Sequence, residues 1–218
     1  MEIISKYHKF LDIYTKDENG RFRSFDHIHT VFQEREKYSL DEIALHLFAF
    51  MGSWGMFRNS FLMQKDYKFL IPIVEILCDK RYSFLLDINP LHEEFRKQKY
   101  ISSIFEIKER IEDFVSTQKY YKDGRWEIIS VTDTFVTKIL LATFACMPAL
   151  DNQVRAGLKK CHKAYTYFGE GILKDILDFA NEHRDALLEA QCEIKEETNL
   201  EYPIMKIIDM CLWEYGAE

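Results

Sequence analysis

Breaks are scarce in this sequence. Eight glycines and four prolines in 218 residues are less than half the usual share of about 12%. An all-β sandwich or barrel needs a turn roughly every 8–12 residues, and the chain lacks the residues to make them. A hydrophobic content of 47% also excludes a disordered chain. Long helices joined by few loops remain. The expected fold class is therefore all-α: a compact multi-helix domain over 1–218, a single globular unit with two candidate helical lobes, 1–118 and 119–218.

Caps and apolar spacing divide the chain further. Residues 1–14 read as a short helix and Asp17-Glu18-Asn19-Gly20 as a turn. Ser24 or Asp26 caps a helix through Glu36. Ser39, with Glu42 three residues on, is a capping box before Ile43, Ala44, Leu47, Phe48 and Met51. Gly52-Ser53-Trp54-Gly55 breaks that helix. The next is expected from Met56 to Phe69, with Pro72 marking a bend or a new start. Another helix follows Asn89-Pro90, and 101–118 is amphipathic. Lys122-Asp123-Gly124-Arg125 predicts one small β-hairpin near 119–129. Thr132-Asp133-Thr134 opens a helix that Pro148 stops, and Asp151 opens another through Phe168. Gly169 and Gly171 separate that one from 172–191, and a last helix covers 203–215.

The formal charge is −7. Seven acids and two bases between 182 and 201 account for −5 of it, leaving −2 for the rest. Bulk charge therefore does not hold a nucleic acid here, although a local basic face can still act. The five cysteines, Cys78, Cys146, Cys161, Cys192 and Cys211, form no Cys-x-x-Cys. They suggest neither a disulfide framework nor a zinc site. No apolar run reads as a signal peptide or a membrane span. A cytoplasmic protein with no metal and no cofactor is expected. Gly-x-Ser-x-Gly, P-loop and dinucleotide fingerprints are all missing from the sequence.

Residues 128–160 carry the most chemistry. A short apolar approach and a polar turn lead into Thr137-Lys138-Ile139-Leu140-Leu141-Ala142-Thr143-Phe144-Ala145. The loop Met147-Pro148-Ala149-Leu150 follows, and then Leu150-Asp151-Asn152-Gln153-Val154 opens a basic helix. This order resembles the helix-hairpin-helix DNA glycosylases. The resemblance implies a base flipped out of DNA and a catalytic carboxylate at Asp151, which would stabilise an oxocarbenium charge or activate water. DNA carrying damaged or modified bases would be the partner.

The hairpin glycines of that family have no counterpart in Ile129-Ser130-Val131-Thr132. The family's strand-cleaving lysine would fall near Asp133 or Thr134. Lys138, about one turn later, is poorly placed for a Schiff-base nucleophile, so the resemblance implies a monofunctional hydrolase. Asp151 also reads as a plain N-cap, worth roughly 1 kcal/mol.

Other candidates carry two readings each. Arg155, Lys159 and Lys163 recur at i+4 with Lys160 beside them. They suit DNA phosphates or a solvated face. The N–H groups near Thr132 and Thr134 could seat a phosphate, with Asp133 opposing it. Trp54, Arg58, Asn59 and Gln64 could stack on and read a base, or Trp54 could fill a helix junction. Asp209 and Trp213, at i and i+4, suit a pocket edge or terminal packing. His27, His29, His46 and His92 lack partners at metal-ligand spacing. The alternative to a glycosylase is a non-enzymatic helical protein-interaction module that uses the acidic 182–201 surface.

Overall fold

Ser39 Oγ accepts from the Glu42 N–H while the Glu42 carboxylate takes the Ser39 N–H, so the capping box opens its helix as its spacing predicts. The computed structural model describes residues 3–58, 60–86, 88–163 and 167–218. Its helices are α1 Tyr7–Lys16, α2 Arg23–Gln33, α3 Leu40–Ser53, α4 Ile71–Leu77 and α5 Gln98–Ser116. After a two-stranded ribbon come α6 Asp133–Thr143, α7 Asn152–Lys160, α8 Glu170–Glu182, α9 Arg184–Thr198 and α10 Ile204–Ala217. The fold is all-α. The ribbon pairs β1 Lys119–Lys122 antiparallel with β2 Arg125–Ile128 around Asp123-Gly124, where both residues have positive φ.

Several helices stop or restart where only backbone geometry shows it. The expected Met56–Phe69 helix is instead two short 3-10 turns, Phe61–Gln64 and Tyr67–Leu70. Ser60 and Asp66 side chains accept from Leu62 N and Lys68 N and restart the chain each time. Pro72 opens α4. The region after Asn89-Pro90 makes a 3-10 turn, Glu93–Arg96, before α5 begins.

Helix α7 ends at Lys160, not Phe168. His162 turns left-handed, and the N–H groups of His162 and Lys163 return to Lys159 O and Leu158 O. This is a Schellman ending with histidine in place of the usual glycine. Residues 172–191 fall across two helices, α8 and α9, which break at His183.

Helix α6 is buried from Phe135 to Thr143 and packs on α2, α3 and α5. The apolar core runs from Ile4 to Leu212 and draws on both sides of residue 118. Helices α7 and α10 cross at backbone contact. A Cβ on Gly157 would lie 2.2 Å from Leu212 O, and one on Gly216 would lie 1.9 Å from Gln153 O. Only glycine admits that approach. Among the described residues no helix is long and apolar enough to cross a membrane.

Candidate functional site

The loop between α6 and α7 is tied down before it reaches Asp151. Thr132 caps α6 by accepting from Phe135 N at 3.2 Å. Thr134 Oγ1 donates to Leu150 O at 2.8 Å, and Thr137 Oγ1 accepts from Leu150 N at 2.9 Å. Asp209 Oδ1, from α10, accepts from Ala149 N at 2.9 Å. Asp151 then caps α7. Its Oδ1 accepts from Gln153 N and Val154 N, each at 3.1 Å, and its Oδ2 faces Lys138 Nζ at 3.4 Å.

A second buried pair lies alongside. Lys206 Nζ donates to Asp209 Oδ2 at 3.2 Å, and both residues are buried on α10. Burial pushes the Lys206 ammonium below its usual range and the Asp209 carboxyl above its own. Behind them Asp26 accepts from Tyr202 OH at 2.6 Å and Tyr14 OH at 2.7 Å, and burial raises its pKa.

Trp54 roofs this cluster. Lys206 Nζ lies 4.7 Å and Lys138 Nζ 5.3 Å from its ring centre, with the Arg21 guanidinium also at 5.3 Å. Its indole N–H donates to Ser24 Oγ at 3.1 Å. Arg21 also lies over Trp213, at 5.7 Å. The electron-rich faces of the rings favour cations withdrawn from water. The cavity that Lys206 and Asp209 share with Trp54 and Trp213 is about 10 Å³. The neighbouring space against Lys138 and Asp151 is closed to water. Neither admits a nucleobase in this conformation.

Trp54, Lys138 and Asp151 therefore meet, and Asp209 and Trp213 join them. Lys206 was not among the residues singled out from the sequence. Its signal is a lysine inside the apolar run IMKIIDMCLW, three residues before an aspartate. Arg58, Gln64 and Thr132 lie elsewhere, along an open cleft of about 810 Å³ with aromatic walls. Gln64 is engaged there by the ribbon. Its amide N–H donates to Tyr121 O at 2.6 Å and its carbonyl accepts from Tyr121 N at 2.8 Å, so both ends serve the open edge of β1. Asn59 lies outside the described residues.

Of the basic residues after Asp151, Arg155 and Lys159 stand four apart on α7, whereas Lys163 lies beyond its end. Arg155 Nη2 reaches Thr134 Oγ1 at 3.4 Å, and Lys160 Nζ donates to Tyr215 O at 2.7 Å. Lys163 pairs with Glu182 at 3.6 Å, and Lys159 is exposed. Among the described residues no group of three His, Cys, Asp or Glu side chains could hold a metal ion. The five cysteines are free thiols, and burial pushes Cys146 and Cys211 up to about 12.

Fold and site together define an all-α protein with a buried lysine–aspartate cluster under a tryptophan. Compared with protein-family models, curated proteins and solved structures, the chain matches none.

Proposed function

We propose that this chain is a cytoplasmic, DNA glycosylase-like hydrolase that flips a damaged or modified base from DNA and hydrolyses its N-glycosidic bond. The observation that carries the reading is the setting of Asp151. Its carboxylate is held at the start of α7 by two N–H groups and stands beside a buried ammonium. A fixed carboxylate suits two tasks at the sugar. It can face the positive charge that develops as the base leaves with the bonding electrons, and it can take a proton from the water that adds to the anomeric carbon. Lys138 is a positioning residue in this reading, because its amine is turned to Asp151 and withdrawn from solvent. The space beneath Trp54 is closed, so a base enters it only when the side chains that line it, Trp54 and Trp213 among them, part.

The test is to incubate the protein with DNA carrying a range of natural and modified bases, and with bacteriophage DNA, and to measure abasic sites. The expected result is abasic sites with the native chain and none with Asp151→Asn. Equal activity in Asp151→Asn sinks the role of Asp151. No abasic sites on any substrate sinks the whole reading.

The same closure favours a second reading, a non-enzymatic module in which Asp151 is only a cap. Its partner would be a basic protein surface. Helix α9 exposes Asp185, Glu189, Glu196 and Glu197 to such a partner. Under this reading charge reversal at Glu196 and Glu197 abolishes partner capture, while Asp151→Asn leaves it intact.

A further inference from the structure

The ribbon is open along one edge only. Residues in an antiparallel pair alternate between those whose N–H and C=O groups meet the facing strand and those whose groups point outward. Gln64 bonds both backbone groups of Tyr121 from outside, and Lys65 Nζ donates to Lys119 O at 2.7 Å. Side chains therefore occupy the outer edge of β1. Trp126 lies opposite Tyr121 and Ile128 opposite Lys119, so the backbone groups of Trp126 and Ile128 point outward from β2. Ile129 N donates inward to Gln118 O, one step along, as this phase requires. Among the described residues no hydrogen bond from outside the ribbon reaches the backbone of Trp126 or Ile128.

The side chains at the same two positions are apolar and in water. Exposure is 66% for Trp126, 64% for Ile128 and 49% for Tyr121, whose ring centre lies 5.6 Å from that of Trp126. All three share one face of the ribbon, because residues opposed across the pair share a face and so do residues two apart along a strand. Every residue from 121 to 126 is exposed, so this end of the ribbon stands away from the body of the fold. An open edge with bulky apolar side chains is a template for another strand.

Charge and symmetry say which strand. Arg125 and Glu127 occupy the other face of β2, with Nη2 and Oε1 2.7 Å apart. When a second β2 is laid antiparallel on the first about a two-fold axis at Trp126, each Arg125 falls directly opposite the other copy's Glu127. The same register opposes Trp126 to its own copy and Ile128 to Gly124, which has no side chain to obstruct it. An axis one residue on, at Glu127, would set the two Glu127 carboxylates against each other. Residues 119–128 hold three bases and two acids, so two ribbons meet near neutrality although the whole chain carries −7.

We propose that the chain forms a two-fold dimer in which the β2 edges of two copies pair antiparallel about Trp126, giving the strand order β1-β2-β2-β1. A row of four rings, Tyr121 and Trp126 from each copy, then crosses one face of a four-stranded sheet. Gln64 and Lys65 block the outer edge of β1, so no third copy adds and the assembly closes at two. The interface is small, so the dimer is weak and depends on concentration. The proposal goes beyond base excision and does not rest on it.

The test is analytical ultracentrifugation of the full chain from about 1 μM to about 500 μM, with far-ultraviolet circular dichroism on the same samples. The expected result is a rise toward twice the chain mass and no further, with an exciton couplet from the paired indoles growing in step. Trp126→Ala should weaken association by about tenfold or more. Arg125→Glu sets four acids together and should do the same, whereas Arg125→Glu combined with Glu127→Arg should restore the dimer. Trp126 and Arg125 are exposed, so the variants should keep the native melting temperature. A monomer at every concentration overturns the proposal. So does a dimer that Trp126→Ala or Arg125→Glu leaves unchanged, a charge swap that fails to restore pairing, or growth beyond two copies.

Discussion

Lys138 and Asp151 share an ion pair unequally: the lysine side chain is 4% exposed and the aspartate 20%, with Nζ and Oδ2 3.4 Å apart. Losing the aspartate strands an ammonium in the core, whereas losing the lysine leaves a carboxylate with some water and two N–H donors. Asp151→Ala should therefore destabilise the fold more than Lys138→Met. Asp151→Asn keeps the cap and should exceed Asp151→Ala in stability by about 1 kcal/mol. Urea unfolding of the three variants checks both orders. A Lys138→Met protein less stable than Asp151→Ala contradicts this account of the pair.

Asp209 joins two buried jobs, the ion pair with Lys206 and the hydrogen bond to Ala149 N. Asp209→Ala removes both and leaves Lys206 without its carboxylate. The expected loss is about 3–5 kcal/mol. The double variant Lys206→Met, Asp209→Ala should recover part of it, because no buried charge is then left alone. Denaturant midpoints measure this, and a double variant no more stable than Asp209→Ala refutes the pairing argument.

The crossing of α7 and α10 depends on missing side chains. Gly157→Ala places a methyl 2.2 Å from a backbone carbonyl of α10, so the helices must separate. A loss of about 1–3 kcal/mol is expected, as for overpacking generally. Gly171→Ala is the control. It lies in α8 with nothing within 4 Å of the new carbon, and should stabilise by about 0.5–1 kcal/mol. Thermal melts of the two proteins should move in opposite directions.

His29 makes the fold sensitive to acid. Its ring stacks on Phe25, and burial pushes its pKa down from 6.5 to about 4. The unfolded chain binds a proton near pH 6.5 while the folded chain resists until about pH 4. Its contribution is therefore complete above pH 6.5 and is lost as pH falls from 6.5 to 4. Urea midpoints measured across that window should fall less steeply for His29→Gln than for the native chain. Parallel curves would contradict a neutral, half-buried imidazole.

Local signals were read well from the sequence. The capping box at Ser39, the helix starts at Thr132 and Asp151 and the turn at Asp123-Gly124 all rest on contacts within a few residues. The helix ends at Lys160 and Glu182 did not show. A left-handed histidine closes one and His183 breaks the other, and neither residue type advertises a stop. The 56–69 stretch misled in the opposite way. Its apolar residues suit a helix, but Ser60 and Asp66 bond their own neighbouring backbone first.

The sequence by itself determined an all-α chain with one ribbon and an aspartate at the mouth of α7, because scarce breakers, caps and turns act over a single helical turn. Only the tertiary structure decided what that aspartate would face. Asp209 reaches Ala149 across 60 residues, and Gln64 reaches Tyr121 across 57. Such meetings depend on how whole helices cross, down to the two glycines that let α7 and α10 touch. That crossing sets the Lys206 pair beside the Lys138–Asp151 pair beneath Trp54. It also leaves Gln64 bracing a ribbon, away from the site its sequence neighbourhood suggested.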